Sequence, residues 1–188
     1  MRRQQYLAAL AGIKPERLIV LDESGVTTSL TRLYGRSPAG RRIREATPGG
    51  RWSVLTLLGA LRLGGVCAMM TIAAPADGDI FLAFAGAVRA PPLRPGDVVV
   101  LDNLSVHKVA GLQPLLAQHG ARLLYLPPYS PDLNPIEKAW SKLKTSLRAA
   151  KARTHDALQT AIADSLPAIT AADAAAWFRG CGIGLQQP

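Results

Sequence analysis

Three short apolar runs constrain this chain more than any other feature. Leu18-Ile19-Val20-Leu21, Val98-Val99-Val100-Leu101 and Leu123-Leu124-Tyr125-Leu126 are continuous rather than alternating. A strand with one wet face alternates apolar and polar side chains. Runs like these read instead as strands covered on both faces, as in sheets with helices on either side. The first two runs each lead into a carboxylate, Asp22 and Asp102. A carboxylate buried at a strand end is costly unless Lys, Arg or a cation neutralises it. Strand-terminal aspartates are also ordinary turn formers, so neither residue carries much weight alone.

The segments between the runs supply the rest of the architecture. Residues 2–12 predict a helix stopped by Gly12 and Pro15, and Glu23-Ser24-Gly25 leads out of the first strand. Trp52–Leu61 and Val66–Ala74 predict a hairpin turning at Arg62-Leu63-Gly64-Gly65. That stretch is apolar enough to raise the question of a membrane span. A central Arg62 would cost a spanning helix about 2.5–3.5 kcal/mol, and the glycines fit a turn better, so no transmembrane segment is expected. A helix follows from Pro75–Asp79 to about Val88, with Pro91–Gly96 as a linker. Another spans Val109–His119, with Gly120 as its C-terminal stop. A proline-rich turn, Pro127–Pro135, leads into a long helix over 135–150, and two shorter helices lie over 154–165 and 171–178. The order predicts an α/β fold with a mixed five-stranded sheet flanked by helices.

The long helix repays a closer look. Ile136, Trp140, Leu143 and Leu147 make its apolar stripe, while Ser141, Lys144 and Arg148 follow Glu137 along a neighbouring face. Asn134 as cap, Pro135 at the first position and Glu137 three after the cap would form a capping box. The other reading places Glu137 as an acidic ligand at the core edge with a basic lane behind it. Asn103 and His107 flank Asp102, with Asn103 suited to orient a water and His107 to donate to a phosphate. Lys108 follows directly.

A net charge of +9 in 188 residues asks for an anionic partner, nucleic acid first and an acidic membrane surface second. Arginines crowd the loop-like stretch from Thr27 to Arg51, among them Arg36, Arg41 and Arg42. Guanidinium forks match phosphate oxygens, so this is either a phosphate-contacting strip or a solvated loop. Cys67 and Cys181 make neither a metal-spaced pair nor a disulfide framework, which fits a reducing compartment.

Three carboxylates from separate elements, Asp22, Asp102 and Glu137, suit divalent metal binding. Two Mg²⁺ ions about 3.5–4 Å apart can clamp the attacking and leaving oxygens of a phosphoryl displacement. Together DESG (22–25), VVVLDNLSVHK (98–108) and LPPYSPDLNPIEKAWSKLK (126–144) resemble the catalytic domain of DDE transposases, closest to the mariner-like superfamily and its bacterial insertion-sequence branch. The thirty-four residues between Asp102 and Glu137 match that group's spacing. The resemblance covers roughly residues 17–150, between an N-terminal helix over 1–16 and a C-terminal helical extension over 151–188. It implies a ribonuclease-H-like fold, with Asp22, Asp102 and Glu137 as the catalytic and metal-binding triad. Two Mg²⁺, or Mn²⁺ in their place, would serve DNA cleavage at element ends and transfer of the free 3′-hydroxyl to target DNA. Asn103, His107 and Asn134 would support the triad, and Arg36, Arg41, Arg42, Lys108, Lys138, Lys144 and Arg148 would contact DNA. It further implies a homodimer on DNA in the bacterial cytoplasm, associated with the nucleoid and not with membrane.

Family members carry N-terminal helix-turn-helix domains, whereas about 16 residues precede the first strand here. The expectation is the second frame of a split element, a truncated copy or an excerpted catalytic domain, with a separately encoded helix-turn-helix subunit or frame in the split case, and weak, salt-sensitive, largely sequence-independent DNA binding. Two rivals are a transposase remnant that only binds DNA and a haloacid-dehalogenase-like phosphatase using Asp22 as nucleophile. The latter wants a second Asp where Ser24 stands.

Overall fold

The structure is a computed structural model that describes residues 2–87, 93–103 and 109–184. Five strands form one sheet: β1 (Leu18–Thr27), β2 (Val54–Arg62), β3 (Gly65–Ile72), β4 (Val98–Leu101) and β5 (Arg122–Tyr125). Their order across the sheet is β3-β2-β1-β4-β5. The hairpin strands run antiparallel to β1, while β4 and β5 run parallel to it and to each other. Among the described residues, six α-helices cover the sheet: α1 (Arg3–Ala11), α2 (Gly78–Ala87), α3 (Leu112–Ala117), α4 (Ile136–Ala150), α5 (His155–Ser165) and α6 (Ala171–Gly180).

The unbroken apolar runs are explained by two cores, one on each face. Leu18 and Val20 of β1 and Val98 and Val100 of β4 point into the core formed with α1, α4, α5 and α6. Ile19, Leu21, Val99 and Leu101 point the other way, into the core with α2 and α3. Every residue of these runs therefore buries against a helix, and none is left to be polar.

Three expectations need correction. β1 does not end at Asp22; it continues through Glu23-Ser24-Gly25 to Thr27. After Val20 it parts from β4 but keeps β2 as antiparallel partner as far as Thr27↔Val54, so the backbone stays hydrogen-bonded without an apolar pattern. α3 spans only Leu112–Ala117, short of 109–119, although Gly120 does leave it at φ +67°. The third run is only half-buried, because β5 lies at the sheet's edge and has a neighbour on one side alone.

Candidate active site

Strand parity aims both aspartates at the same helix. Val20 pairs with Val100 in the parallel ladder, and both face the α4 core. Two residues further on, Asp22 and Asp102 continue that face just where β1 and β4 separate. The carboxyl ends of parallel strands are where open α/β sheets bind ligands. Asp22 is 95% buried, at 5% exposure, and Asp102 is half-buried.

The α4 side of this cleft holds Asp22 by direct bonds. Asn134 Nδ2 donates to Asp22 Oδ2 at 3.1 Å, and Trp140 Nε1 donates to the same oxygen at 3.2 Å. The Glu23 backbone N–H donates to Oδ1 at 2.9 Å. The capping box is therefore not built: α4 begins after Pro135 with no side-chain cap, and Asn134 turns its amide inward to the carboxylate. Asn134 is buried, and its Oδ1 has no hydrogen-bond partner. Trp140 lies in the apolar stripe as the periodicity predicts, yet its indole N–H makes it part of the site. That second role follows from β2: Gly59 pairs with Asp22, and a Cβ there would overlap the Trp140 ring. Only glycine lets the indole slide across the sheet to reach Asp22. Period counting finds the ring's packing but has no means of seeing this bond.

Glu137 is exposed at the start of α4 and shares a cavity of about 360 Å³ with Asp102, Asn103 and Asn134. It also lines a neighbouring cleft with Lys144, Glu23 and Ser24. Burial, then the negative charge of Glu137 and, more weakly, that of Asp102, push the Asp22 carboxyl up to about 7; the Glu23 N–H and Trp140 oppose the rise. Burial lowers the half-buried Lys144 ammonium, with Arg148 acting the same way and Glu137 and Asp22 resisting. Asp22, Glu137, Lys144 and Arg148 thus share one electrostatic neighbourhood.

Among the described residues, no three acidic, His or Cys side chains stand close enough to hold one ion. The donor chemistry nonetheless suits a hard cation. The groups on offer are carboxylate oxygens plus the unpaired Asn134 Oδ1, the oxygen ligands that Mg²⁺ and Mn²⁺ take.

The remaining candidates separate spatially. Arg36, Arg41 and Arg42 are exposed on the irregular segment between β1 and β2. The root of that segment is tied to the chain after α4, where Arg153 Nη1 donates to the carbonyls of Thr28 and Leu30 at 3.0 and 2.8 Å. Lys151 also forms an ion pair with Glu45 there. Lys138 lies off the Glu137–Lys144–Arg148 lane, close enough to Cys181 for its charge to act on that thiol. His107 and Lys108 lie outside the described residues. No helix among those described is long and apolar enough to cross a membrane.

Comparison with known proteins adds the family. None of the curated proteins matches the chain. Among solved structures, the Mos1 transposase paired-end complex with left transposon end is similar at TM-score 0.73 and 14% identity, covering 95% of this chain and 55% of that one. The Mos1 mariner paired-end complex with Mn gives 0.68 at 15% identity, with 97% and 60% covered. The catalytic domain of Mos1 mariner transposase gives 0.63 at 14%, with 95% and 82% covered. This chain accordingly spans little more than half the length of the transposase chains in the DNA complexes. The likeness establishes the ribonuclease-H-like fold. A family model described as DDE superfamily endonuclease matches residues 17–159, well over half the sequence, and the chain belongs to that family.

Proposed function

We propose that this chain is the catalytic domain of a transposase, cutting DNA strands and transferring the resulting 3′-hydroxyl, with Asp22, Asp102 and Glu137 holding Mg²⁺ or Mn²⁺. One observation carries the reading: a buried carboxylate, Asp22, is fixed by Asn134 and Trp140 while lying within the field of two further carboxylates. Such an arrangement is unfavourable without a cation. Two bound ions would stabilise the charge developing on the phosphate and lower the pKa of the attacking oxygen.

The chain's own residues do the rest. Asn134, Trp140 and the Glu23 N–H hold Asp22 in a single orientation. Glu137, exposed, and Asp102, half-buried, line one cavity and would complete the oxygen donors. Asn103 lines the same cavity and would orient the attacking water. Lys144 and Arg148 form a cationic lane leading from Glu137, suited to the DNA backbone. Exposed Arg36, Arg41 and Arg42 on the β1–β2 segment would contact the backbone of the same DNA separately. Hydrolysis would break the bond between phosphorus and the 3′ oxygen, leaving a 5′-phosphate and a 3′-hydroxyl; in the second step that hydroxyl would attack a target phosphorus and expel the target strand's own 3′ oxygen as a new 3′-hydroxyl.

Paired element ends and a homodimer belong to the same proposal. The phosphatase alternative falls with the family assignment. The DNA-binding remnant is separated by experiment. Purified protein with Mn²⁺ is expected to nick supercoiled plasmid, and Asp102→Ala to abolish the nicking. Nicking that survives the substitution rules out the site, and DNA binding without any nicking favours the remnant.

A further inference from the structure

One residue beside the cleft is built at a cost and does nothing for the fold. Tyr129 is 100% exposed, so its ring packs on none of the described residues. Its backbone stands at φ +52°, in the left-handed region that bulky residues avoid. The neighbours hold it there. Pro127, Pro128 and Pro131 stiffen the turn, and Ser130, 5% exposed, donates from Oγ to the Pro128 carbonyl at 3.2 Å. From the other side Arg3 of α1 donates to Ser130 Oγ at 3.2 Å and to Asp132 Oδ1 at 2.9 Å, and its second nitrogen reaches Asp132 Oδ2. Strained positions persist where surrounding structure over-determines them, and they gather at ligand sites.

Tyr129 lines the same cavity of about 360 Å³ as Asp102, Asn103 and Glu137. That cavity is acidic, so a phosphate fits the Lys144–Arg148 lane better than the Tyr129 side. A neutral, flat, apolar face is what an exposed ring at this position can receive. We propose that Tyr129 is a substrate-contacting residue whose ring stacks on an unpaired nucleobase of DNA beside the phosphate to be cut, with the Arg3 brace holding the platform in place. Every base has a π-face, so stacking of this kind tolerates sequence. The inference rests on the DNA-cleaving reading and names the part of the substrate its cavity takes.

The test uses duplex oligonucleotides carrying 2-aminopurine, either in a short single-stranded overhang or paired within the duplex. They are titrated with the full chain at low salt in EDTA, where no cleavage occurs. Wild type and Tyr129→Phe are expected to quench the overhang probe and leave the paired probe unchanged. Tyr129→Ala should lose the quenching and bind the overhang roughly ten-fold more weakly, the order expected from losing one stacked base. Its melting temperature and blunt-duplex binding should stay as in wild type, since the ring buries nothing. Arg3→Ala should lose part of the quenching. Quenching retained by Tyr129→Ala overturns the proposal, as does equal loss in Tyr129→Phe, which would assign the contact to the hydroxyl. Plasmid nicking by the same preparations distinguishes the two readings. Nicking without quenching overturns the platform alone, quenching without nicking leaves it on a DNA-binding chain, and absence of both overturns the two together.

Discussion

Two buried aspartates sit at opposite ends of the parallel strands, and their surroundings differ in kind. Asp97, with no exposed surface, precedes β4. Arg62 donates to its Oδ2 at 2.7 Å, the Arg94 N–H donates to the same oxygen at 2.8 Å, and Arg17 approaches Oδ1 at 3.8 Å. That last distance is too long for a hydrogen bond but near enough for charge to count. Asp22, at the other end, pairs with no Lys or Arg among the described residues. It takes three neutral N–H donors and faces two more carboxylates. A carboxylate met by arginines is closed and stitches β1, β2 and β4 together. A carboxylate met by neutral donors and like charge is fully oriented yet makes no direct ion pair among the described residues, Lys144 acting on it only through its field. Both are aspartates beside hydrophobic strands, and only the partner's charge tells a structural residue from a chemical one.

The comparison can be broken most forcefully at Asp97. Asp97→Ala leaves Arg62 half-buried without its carboxylate and is expected to cost about 3–5 kcal/mol in chemical denaturation. Asp22→Asn should lose nicking while denaturing in EDTA no more easily than wild type at neutral pH. If Asp22→Asn proves the more destabilising of the two, the distinction between structural and chemical aspartates is wrong.

The pH response sharpens it. The Asp22 carboxyl is pushed up to about 7 in the fold, against about 3.9 in an unfolded chain. A value raised on folding means the folded state holds the proton more tightly. The stability from this group is then fully present below about pH 4 and is lost as pH climbs to about 7. Metal-free wild type should lose stability over that window, and Asp22→Asn should not. Because a cation competes with the proton, Mg²⁺ should raise the melting temperature more at pH 8 than at pH 5.5. An Mg²⁺ shift independent of pH would remove Asp22 from the ligands.

A smaller effect is expected at Gly59. Gly59→Ala drives a methyl into the Trp140 ring and should cost about 1–3 kcal/mol by overpacking, with a drop in nicking as the indole leaves Asp22. Smaller still, Trp140→Phe keeps an aromatic ring in the core and deletes the N–H. It should cost about 0.5–1.5 kcal/mol, yet reduce nicking more than that loss of stability explains. Equal nicking by Trp140→Phe and wild type would make the bond to Asp22 incidental.

Much of the fold was legible because burial on both faces leaves an unmistakable trace. Continuous apolar runs at 18–21 and 98–101 mark strands between two helical layers, and the amphipathic pattern at 136–147 marks the helix that covers one of them. Strand β1 beyond Asp22 was not legible. Its residues are held by the backbone ladder to β2, and a ladder needs no particular side chains. For Asn134 the residue type left two readings open, helix cap or support for the site, because a cap and an inward-turned amide are written by the same residue, and the choice depends on what lies opposite.

The amino-acid sequence by itself determined the layers and the motif spacing that marks the family, since hydrophobic period and motif order are properties of neighbours along the chain. Only the tertiary structure decided that Asp22 would be held by Asn134 and Trp140, that Gly59 would make room for the indole, and that Asp97 rather than Asp22 would receive the arginines. Those outcomes are set by which groups meet across the sheet, and a buried charge takes its meaning from the partner it meets.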